Sequence, residues 1–273
     1  MESAPVIRLN NGVEMPLLGL GVYQSRPGPE TRHAVATALE AGYRLIDTAA
    51  MYENEGDVGA AIRESGVPRE QVFVTSKLWN DDHGYERALR AFQDTLRKLG
   101  TTYVDLYLIH WPGPGLREET WRALEHLQAE GLSRAIGVSN YTVDHLVEML
   151  GYARVPPAVN QVEFHPFMYQ RELLAWMRAR DITLEAYRPL VRARKMDDPT
   201  ITAIARTHGK SAAQVLLRWS LQHGAIVIPK SVHLERICEN LDVFDFSLTD
   251  DEMTVLDALD EGLRTAWDPS RVP

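Results

Sequence analysis

Four polar residues fall where short apolar runs end, and their types suit one chemical step, the protonation of a carbonyl oxygen. They are Asp47, Tyr52, Lys77 and His110. A phenol with an ordinary pKa of about 10 is a weak acid in water, and an ammonium beside it favours the phenolate and so strengthens the acid. Lys77 supplies that ammonium. A half-buried lysine tends to lose its proton, and the carboxylate of Asp47 opposes the loss. His110 is suited to donating a hydrogen bond to the oxygen that gains negative charge. Singly, each residue has an ordinary explanation: Asp47 as a cap for a helix entering near Asn54, Tyr52 as loop packing, Lys77 as an exposed strand-end charge, His110 as a hydrogen-bonded core histidine. Convergence of all four on one opening is what makes a site.

A second set, near the other end of the chain, suits an anion. Ile228-Pro229-Lys230-Ser231-Val232 is followed by Arg236, Glu239 and Asn240, spaced to share one helix face. A lysine, an arginine fork and the free N–H groups of a helix start can together hold a phosphate. The alternative is a charged surface helix with Arg236 and Glu239 as a local pair. Ser139-Asn140, Gln161 and Tyr187 add amide groups and a flat aromatic face, both of which a nicotinamide ring needs.

Other phosphate and hydrolase devices are missing. Gly19-Leu20-Gly21 is followed by Gln24 where a dinucleotide fingerprint requires glycine or alanine, and there is no Walker A sequence. Gly137-Val138-Ser139-Asn140-Tyr141 lacks the second glycine of a nucleophile elbow. The nine histidines form no His-Glu-x-x-His pattern, so no metal is expected.

The elements that must carry these residues alternate. Short apolar or β-branched runs at Leu17–Val22, Arg44–Ala49, Val72–Leu78, Tyr103–Trp111, Arg134–Asn140, Ala158–Phe164, Thr183–Arg188 and Ala225–Ser231 read as strands. Between them lie amphipathic segments such as Glu30–Ala41, Tyr85–Leu99, Glu118–Glu130, Val143–Tyr152 and Glu172–Arg180, several of which stop at Gly42, Gly66, Gly100 or Gly131. Successive strand starts are roughly 24–42 residues apart, room for a crossover helix each time and for two before the last strand. Eight such units with no linker predict an α/β fold, a (β/α)8 TIM barrel forming a single domain over residues 1–273. A doubly wound open sheet shares the pattern and is the runner-up. Ahead of the barrel, Val6 to Pro16 around Asn10-Asn11-Gly12 reads as a small β-hairpin. In such a barrel chemistry sits where strands meet their following loops, which is where the four polar residues lie.

Composition narrows the partners. Lys+Arg 29 against Asp+Glu 38 leaves a net charge of −9, which disfavours nucleic acid and anionic membranes. The single cysteine, Cys238, allows neither an intramolecular disulfide nor a multi-cysteine zinc site. No apolar run approaches the roughly 20 residues of a membrane span, and Met1-Glu2-Ser3-Ala4-Pro5 lacks the blocks of a signal peptide, so a cytoplasmic protein is expected.

From the hairpin to about residue 265 the chain resembles the aldo-keto reductases. The resemblance is carried by Gly42-Tyr43-Arg44-Leu45-Ile46-Asp47-Thr48-Ala49 with Tyr52, by Leu106-Tyr107-Leu108-Ile109-His110-Trp111-Pro112, by Gly137-Val138-Ser139-Asn140 and by Ile228-Pro229-Lys230-Ser231. Lys77-Leu78-Trp79-Asn80 and His83-Gly84-Tyr85 are most similar to the bacterial 2,5-diketo-D-gluconate reductase type. The resemblance implies NADPH-dependent, metal-free reduction of small aldehydes, ketones or α-dicarbonyls by a monomer, with Tyr52 as general acid, Lys77 and Asp47 tuning it, and His110 orienting the carbonyl. It implies that Ser139, Asn140 and Gln161 bind the carboxamide, that Tyr187 stacks on the nicotinamide, and that Lys230, Ser231 and Arg236 hold the adenosine 2′-phosphate with Glu239 and Asn240 near the adenine. Gly21, Val22, Arg188, Leu190 and Val232 complete the implied cofactor contacts, and Tyr23, Trp79, His110 and Trp111 the implied substrate pocket.

Three departures stand out. Arg188 follows Tyr187 where the family usually has a small residue, and Val191-Arg192 follow Pro189-Leu190 where a glycine is usual. Arg188 either donates to the pyrophosphate or shifts the loop that clasps it. The loop Gly113-Pro114-Gly115-Leu116 is short, which predicts a pocket open on that side, and the tail from Gly262 is short enough to leave the reach of Trp267 undecided. Two other functions fit parts of the pattern: a Schiff-base aldolase using Lys77, and a cofactor-sensing binding protein on a reductase scaffold.

Overall fold

A computed structural model describes residues 5–272; the stretch Met1-Glu2-Ser3-Ala4 and Pro273 lie outside the described residues. The predicted hairpin forms as β1 (Val6–Arg8) and β2 (Glu14–Pro16), with Gly12 at φ 86° in the turn. Eight parallel strands follow in consecutive order: β3 (Leu20–Gly21), β4 (Leu45–Asp47), β5 (Phe73–Leu78), β6 (Val104–Ile109), β7 (Ser133–Ser139), β8 (Val159–Glu163), β9 (Thr183–Tyr187) and β10 (Ile226–Val227). The sheet closes on itself. Leu18 bridges Val227 in parallel, Gly19 N donates to Val227 O at 2.9 Å, and Gly21 N donates to Pro229 O at 3.1 Å. The fold is therefore the predicted (β/α)8 barrel with an N-terminal hairpin.

All eight expected strands are present, with shorter ladders at the seam. Leu17–Val22 contributes a ladder only at Leu20–Gly21, and Ala225–Ser231 only at Ile226–Val227. Pro229 has no N–H to continue the ladder, and the chain then leaves the barrel wall.

The helices pack outside. They are α1 (Pro29–Ala41), α2 (Glu55–Glu64), α3 (Tyr85–Leu99), α4 (Arg117–Ala129), α5 (Val143–Leu150), α6 (Arg171–Arg178), α7 (Pro199–His208), α8 (Ala212–Gln222), α9 (Leu234–Leu241) and α10 (Asp250–Asp257). In α3 the buried Ala88, Phe92, Leu96 and Leu99 recur at helical spacing, and Gly100 at φ 64° ends the helix. Two helices, α7 and α8, precede β10, as the long last spacing requires.

Inside the barrel, Leu45, Phe73, Leu106, Leu108, Ala135, Val159 and Ile226 fill the interior, and Leu9 and Met15 of the hairpin region plug it from below. The barrel is a packed core, open to function only at its upper rim. Strands lie close: a Cβ on Gly137 would come within 2.5 Å of Val159 O, so only glycine fits there. Among the described residues no helix is long and apolar enough to cross a membrane.

Candidate active site

Three of the four polar residues are delivered by strand ends and the fourth by the turn that follows β4. Asp47 is the last residue of β4, Tyr52 closes a single 3-10 turn (Ala50–Tyr52), Lys77 is the penultimate residue of β5, and His110 follows β6. They meet. Lys77 is fully buried, and its Nζ donates to Asp47 Oδ1 at 2.7 Å, to Thr48 O at 2.9 Å and to the Tyr52 hydroxyl at 3.2 Å. An ammonium has three donors, and here all three are engaged. Tyr52 and His110 pack edge to face with ring centroids 5.6 Å apart.

This geometry replaces the ordinary explanations. Asp47 caps no helix; Asn54 occupies the α2 cap position, and its amide instead donates to Val22 O while its side-chain oxygen accepts from Thr48 Oγ1. Lys77 is not an exposed charge. His110 is buried, but its Nδ1 has no hydrogen-bond partner, so Nε2 is the nitrogen available to the cavity.

Burial, and secondarily the nearby Asp47 charge, push the Tyr52 hydroxyl well above its ordinary value. The phenol therefore keeps its proton at neutral pH, and the ammonium's hydrogen bond lowers the cost of releasing it. Burial, with the Lys77 charge, holds His110 well below its usual value, so the imidazole is neutral. Burial raises the Asp47 carboxyl, and Lys77 and Gln161 oppose that rise.

Beneath the pair lies a group that the sequence reading passed over. Gln161 Nε2 donates to Asp47 Oδ2 at 2.8 Å and to Glu185 Oε2 at 2.7 Å, and Glu185 Oε1 has no partner. Burial, reinforced by Asp47, raises Glu185 so that it stays protonated at neutral pH. The available signal was a glutamate inside the otherwise apolar β9, where an acid is expensive to bury unless neutral or paired.

A cavity of about 440 Å³ opens over these groups. Asp47, Tyr52 and His110 line it together with Gly21, Tyr23, Trp111, Ser139, Asn140, Gln161, Tyr187, Arg188, Leu190 and Lys230. Val22, Trp79, Ser231, Val232, Arg236, Glu239 and Asn240 are not among its lining residues. Val22 N donates to Asp47 O at 3.0 Å, just behind the wall. Trp79 touches His110 and Trp267, with centroids 5.2 and 6.5 Å away. The remaining five belong to α9 and the turn before it. There Ser231 Oγ accepts from His233 N at 3.1 Å, no side chain caps the helix start, and Arg236 is exposed without an ion pair to Glu239.

The amide groups are already interlocked. Tyr187 Oη donates to Asn140 Oδ1 at 2.7 Å, Asn140 Nδ2 donates to His110 O and to Ser139 Oγ, both at 3.0 Å, and Ser139 Oγ donates to Gln161 O at 2.8 Å. This chain fixes the rim from β6 to β9.

The tail, undecided from sequence, folds over the cavity. Thr265 and Ala266 N–H groups and the Thr265 hydroxyl all donate to the buried Glu163 carboxylate at the end of β8, and Trp267 leans on Trp111 at 5.5 Å while staying 66% exposed. The side left open by the short Gly113–Leu116 loop thus has an aromatic rim. Burial alone raises the Glu163 carboxyl, but hydrogen bonds from His165, Thr265 and Ala266 together bring it down to about 2. A depressed carboxyl contributes stability above its ordinary 4.5 and loses it as pH falls through about 2. Glu163→Gln should accordingly lower stability by roughly 1–3 kcal/mol at neutral pH. The deficit should shrink as pH drops below 4.5, measured by urea unfolding across that range.

A model of the Aldo/keto reductase family matches residues 18–261. Glyoxal reductase of Bacillus subtilis (strain 168) is 51% identical over 266 residues, covering 97% of this chain and 96% of that protein. Morphine 6-dehydrogenase of Pseudomonas putida is 50% identical over 284 residues, covering 98% of this chain and 96% of that protein. The crystal structure of a Bombyx mori aldo-keto reductase in complex with NADP superposes with a TM-score of 0.94 at 38% identity, covering 100% of this chain and 99% of that one. The chain belongs to the aldo/keto reductase family, whose members are NADP-dependent oxidoreductases acting on carbonyl groups.

Proposed function

We propose that this protein reduces small aldehydes, ketones or α-dicarbonyls to alcohols with NADPH, taking the proton from Tyr52. The observation that carries the reading is the Lys77 ammonium, fixed by Asp47 and Thr48 and donating to the Tyr52 hydroxyl at 3.2 Å, beside a neutral His110.

The residues present fit the cofactor. Gln161 keeps its side-chain oxygen free to accept from a carboxamide, Tyr187 offers a ring face, and Lys230, the uncapped start of α9 and the exposed Arg236, which has no ion pair among the described residues, offer cations and N–H groups to a phosphate. When bound, NADPH supplies a hydride to the carbonyl carbon. The carbonyl oxygen, held by a hydrogen bond from His110 Nε2, takes the proton of the Tyr52 hydroxyl as its charge develops. Lys77 then stabilises the phenolate until solvent returns a proton, and Asp47 keeps Lys77 charged and in place. A carbonyl compound, a hydride and a proton become an alcohol. The aromatic wall of Tyr23 and Trp111, with Trp79 packed against His110 beside it, excludes water and receives the substrate's apolar part. The same reading takes the chain as one barrel domain acting as a cytoplasmic monomer.

The test is nicotinamide oxidation with a panel of carbonyls. Turnover of glyoxal-type dicarbonyls and simple aldehydes supports the reading. Tight NADPH binding without turnover points instead to a cofactor-sensing protein. Borohydride trapping of a substrate on Lys77 would point to an aldolase, a role that three engaged donors on Nζ oppose, since a Schiff base needs the free amine. Arg236→Ala should weaken NADPH binding by about 10–100-fold, the worth of a charged hydrogen bond, and leave NADH binding nearly unchanged, as read by equilibrium titration.

A further inference from the structure

The cavity has an excess of positive charge, of which the proposed reduction uses only Lys230. Although the chain carries a net charge of −9, three cationic side chains, Arg188, Arg192 and Lys230, line the cavity against one carboxylate, Asp47, which Lys77 and Gln161 already engage. Lys230 is exposed beside α9, and Arg192 is exposed and donates to Gln24 Oε1 at 3.3 Å. Arg188 differs from both. It is half-buried, and among the described residues its side chain makes no ion pair and a single hydrogen bond, from Nη1 to Thr265 Oγ1 at 3.1 Å. Its guanidinium lies 6.0 Å from the ring centroids of both Tyr23 and Tyr187. Tyr23 in turn is 5.0 Å from the Tyr52 ring.

A half-buried guanidinium with most of its five donors free of protein partners can turn them to an anion in the cavity. The turn that presents it is strained as well. Arg188, Val191, Arg192 and Ala193 all adopt left-handed backbone, at φ 51°, 51°, 53° and 62°, with no glycine to relieve it. Strain of this kind accumulates at ligand clamps. The positive charge of Arg188 also acts on the Tyr52 hydroxyl, opposing the upward push of burial, which places it within electrostatic reach of the proton donor.

We propose that Arg188 is a specificity residue that binds the carboxylate of an oxo-acid substrate whose carbonyl sits at Tyr52 and His110. The inference rests on the reductase reading and narrows its substrate class to short molecules carrying both a carbonyl and a carboxylate. An anionic oxygen on Arg188 could instead belong to a phosphate of the cofactor. The placement favours the substrate, because Arg188 is tied to Thr265 in the tail that carries Trp267, and stands between Tyr187 and the Tyr23 wall, while Lys230 and Arg192 remain for phosphate.

The experiment compares kcat/KM for succinic semialdehyde and for butanal, its uncharged counterpart, at saturating NADPH in wild type, Arg188→Ser and Arg188→Lys. Wild type should prefer the charged aldehyde. The preference should fall by about tenfold or more in Arg188→Ser, chiefly through KM, and recover in part in Arg188→Lys. Calorimetric titration with succinate should show the same order of affinities without any turnover. Raising the salt concentration should erode the wild-type preference, a result that needs no variant to fold. A wild type with no preference, or a preference unchanged in Arg188→Ser, overturns the proposal. An unchanged preference with weaker NADPH binding assigns Arg188 to a cofactor phosphate. A wild type that reduces other carbonyls of the panel but not succinic semialdehyde also overturns the proposal, whereas one that reduces no carbonyl at all overturns the reductase reading itself.

Discussion

Tyr52→Phe should lower kcat/KM for carbonyl reduction by roughly a hundredfold to ten-thousandfold, the range for a positioned proton donor, while NADPH still binds. The change deletes one oxygen. Phenylalanine preserves the ring that packs 5.6 Å from His110 and 5.0 Å from Tyr23, so the cavity wall should persist. What disappears is the proton that burial keeps on the phenol at neutral pH. Lys77 also loses an acceptor, and its third N–H turns to the cavity, where water can satisfy it. Residual reduction in the variant reflects His110 and correct placement of the carbonyl. Steady-state kinetics and cofactor titration, taken together, separate lost chemistry from lost binding.

The second large effect is on stability as well as rate. Lys77→Met should cost about 3–5 kcal/mol, because it leaves the Asp47 carboxylate buried with no counter-charge. Asp47 keeps only the Gln161 amide on its other oxygen, and Gln161 also serves Glu185. The sign of the pH dependence follows from the direction of the Asp47 shift: burial raises that carboxyl and Lys77 holds the rise in check. Without Lys77 the carboxyl rises further, so the variant's deficit should shrink as pH falls and Asp47 takes up a proton. Combining Lys77→Met with Asp47→Asn should restore much of the stability and none of the activity, since the Tyr52 hydroxyl still lacks its ammonium. Urea unfolding of the single and double variants checks the first half, and NADPH oxidation the second.

The part of the site legible in sequence is the part built by strand ends. Asp47, Lys77 and His110 each interrupt an apolar run, and a polar residue at that position in a repeating β/α pattern has few structural uses. Tyr52 follows from the same short loop. The rest depended on contacts that spacing does not encode. Thr265 and Ala266 reach Glu163 across 102 and 103 residues, so nothing local announced that the tail would cover the cavity. Glu185 sat in a strand that read as apolar, and its role emerged only from register, which sets Gln161 opposite it. The seam of the barrel was overestimated because Leu17–Val22 and Ala225–Ser231 look like full strands, while Pro229 and the exit toward α9 shorten the ladder. The left-handed turn at Val191–Ala193 was hidden for a simpler reason. Positive φ is signalled by glycine, and this turn has none.

The account turns on a spatial claim, that a carbonyl oxygen in the cavity lies within reach of both the phenol and the imidazole. The most direct measurement is a crystal structure of the protein with NADPH and an unreactive analogue of a small carbonyl substrate. The account predicts the analogue's oxygen at about 2.6–3.2 Å from both Tyr52 Oη and His110 Nε2, the distance at which a proton can pass. An oxygen bound out of reach of Tyr52 Oη would contradict it.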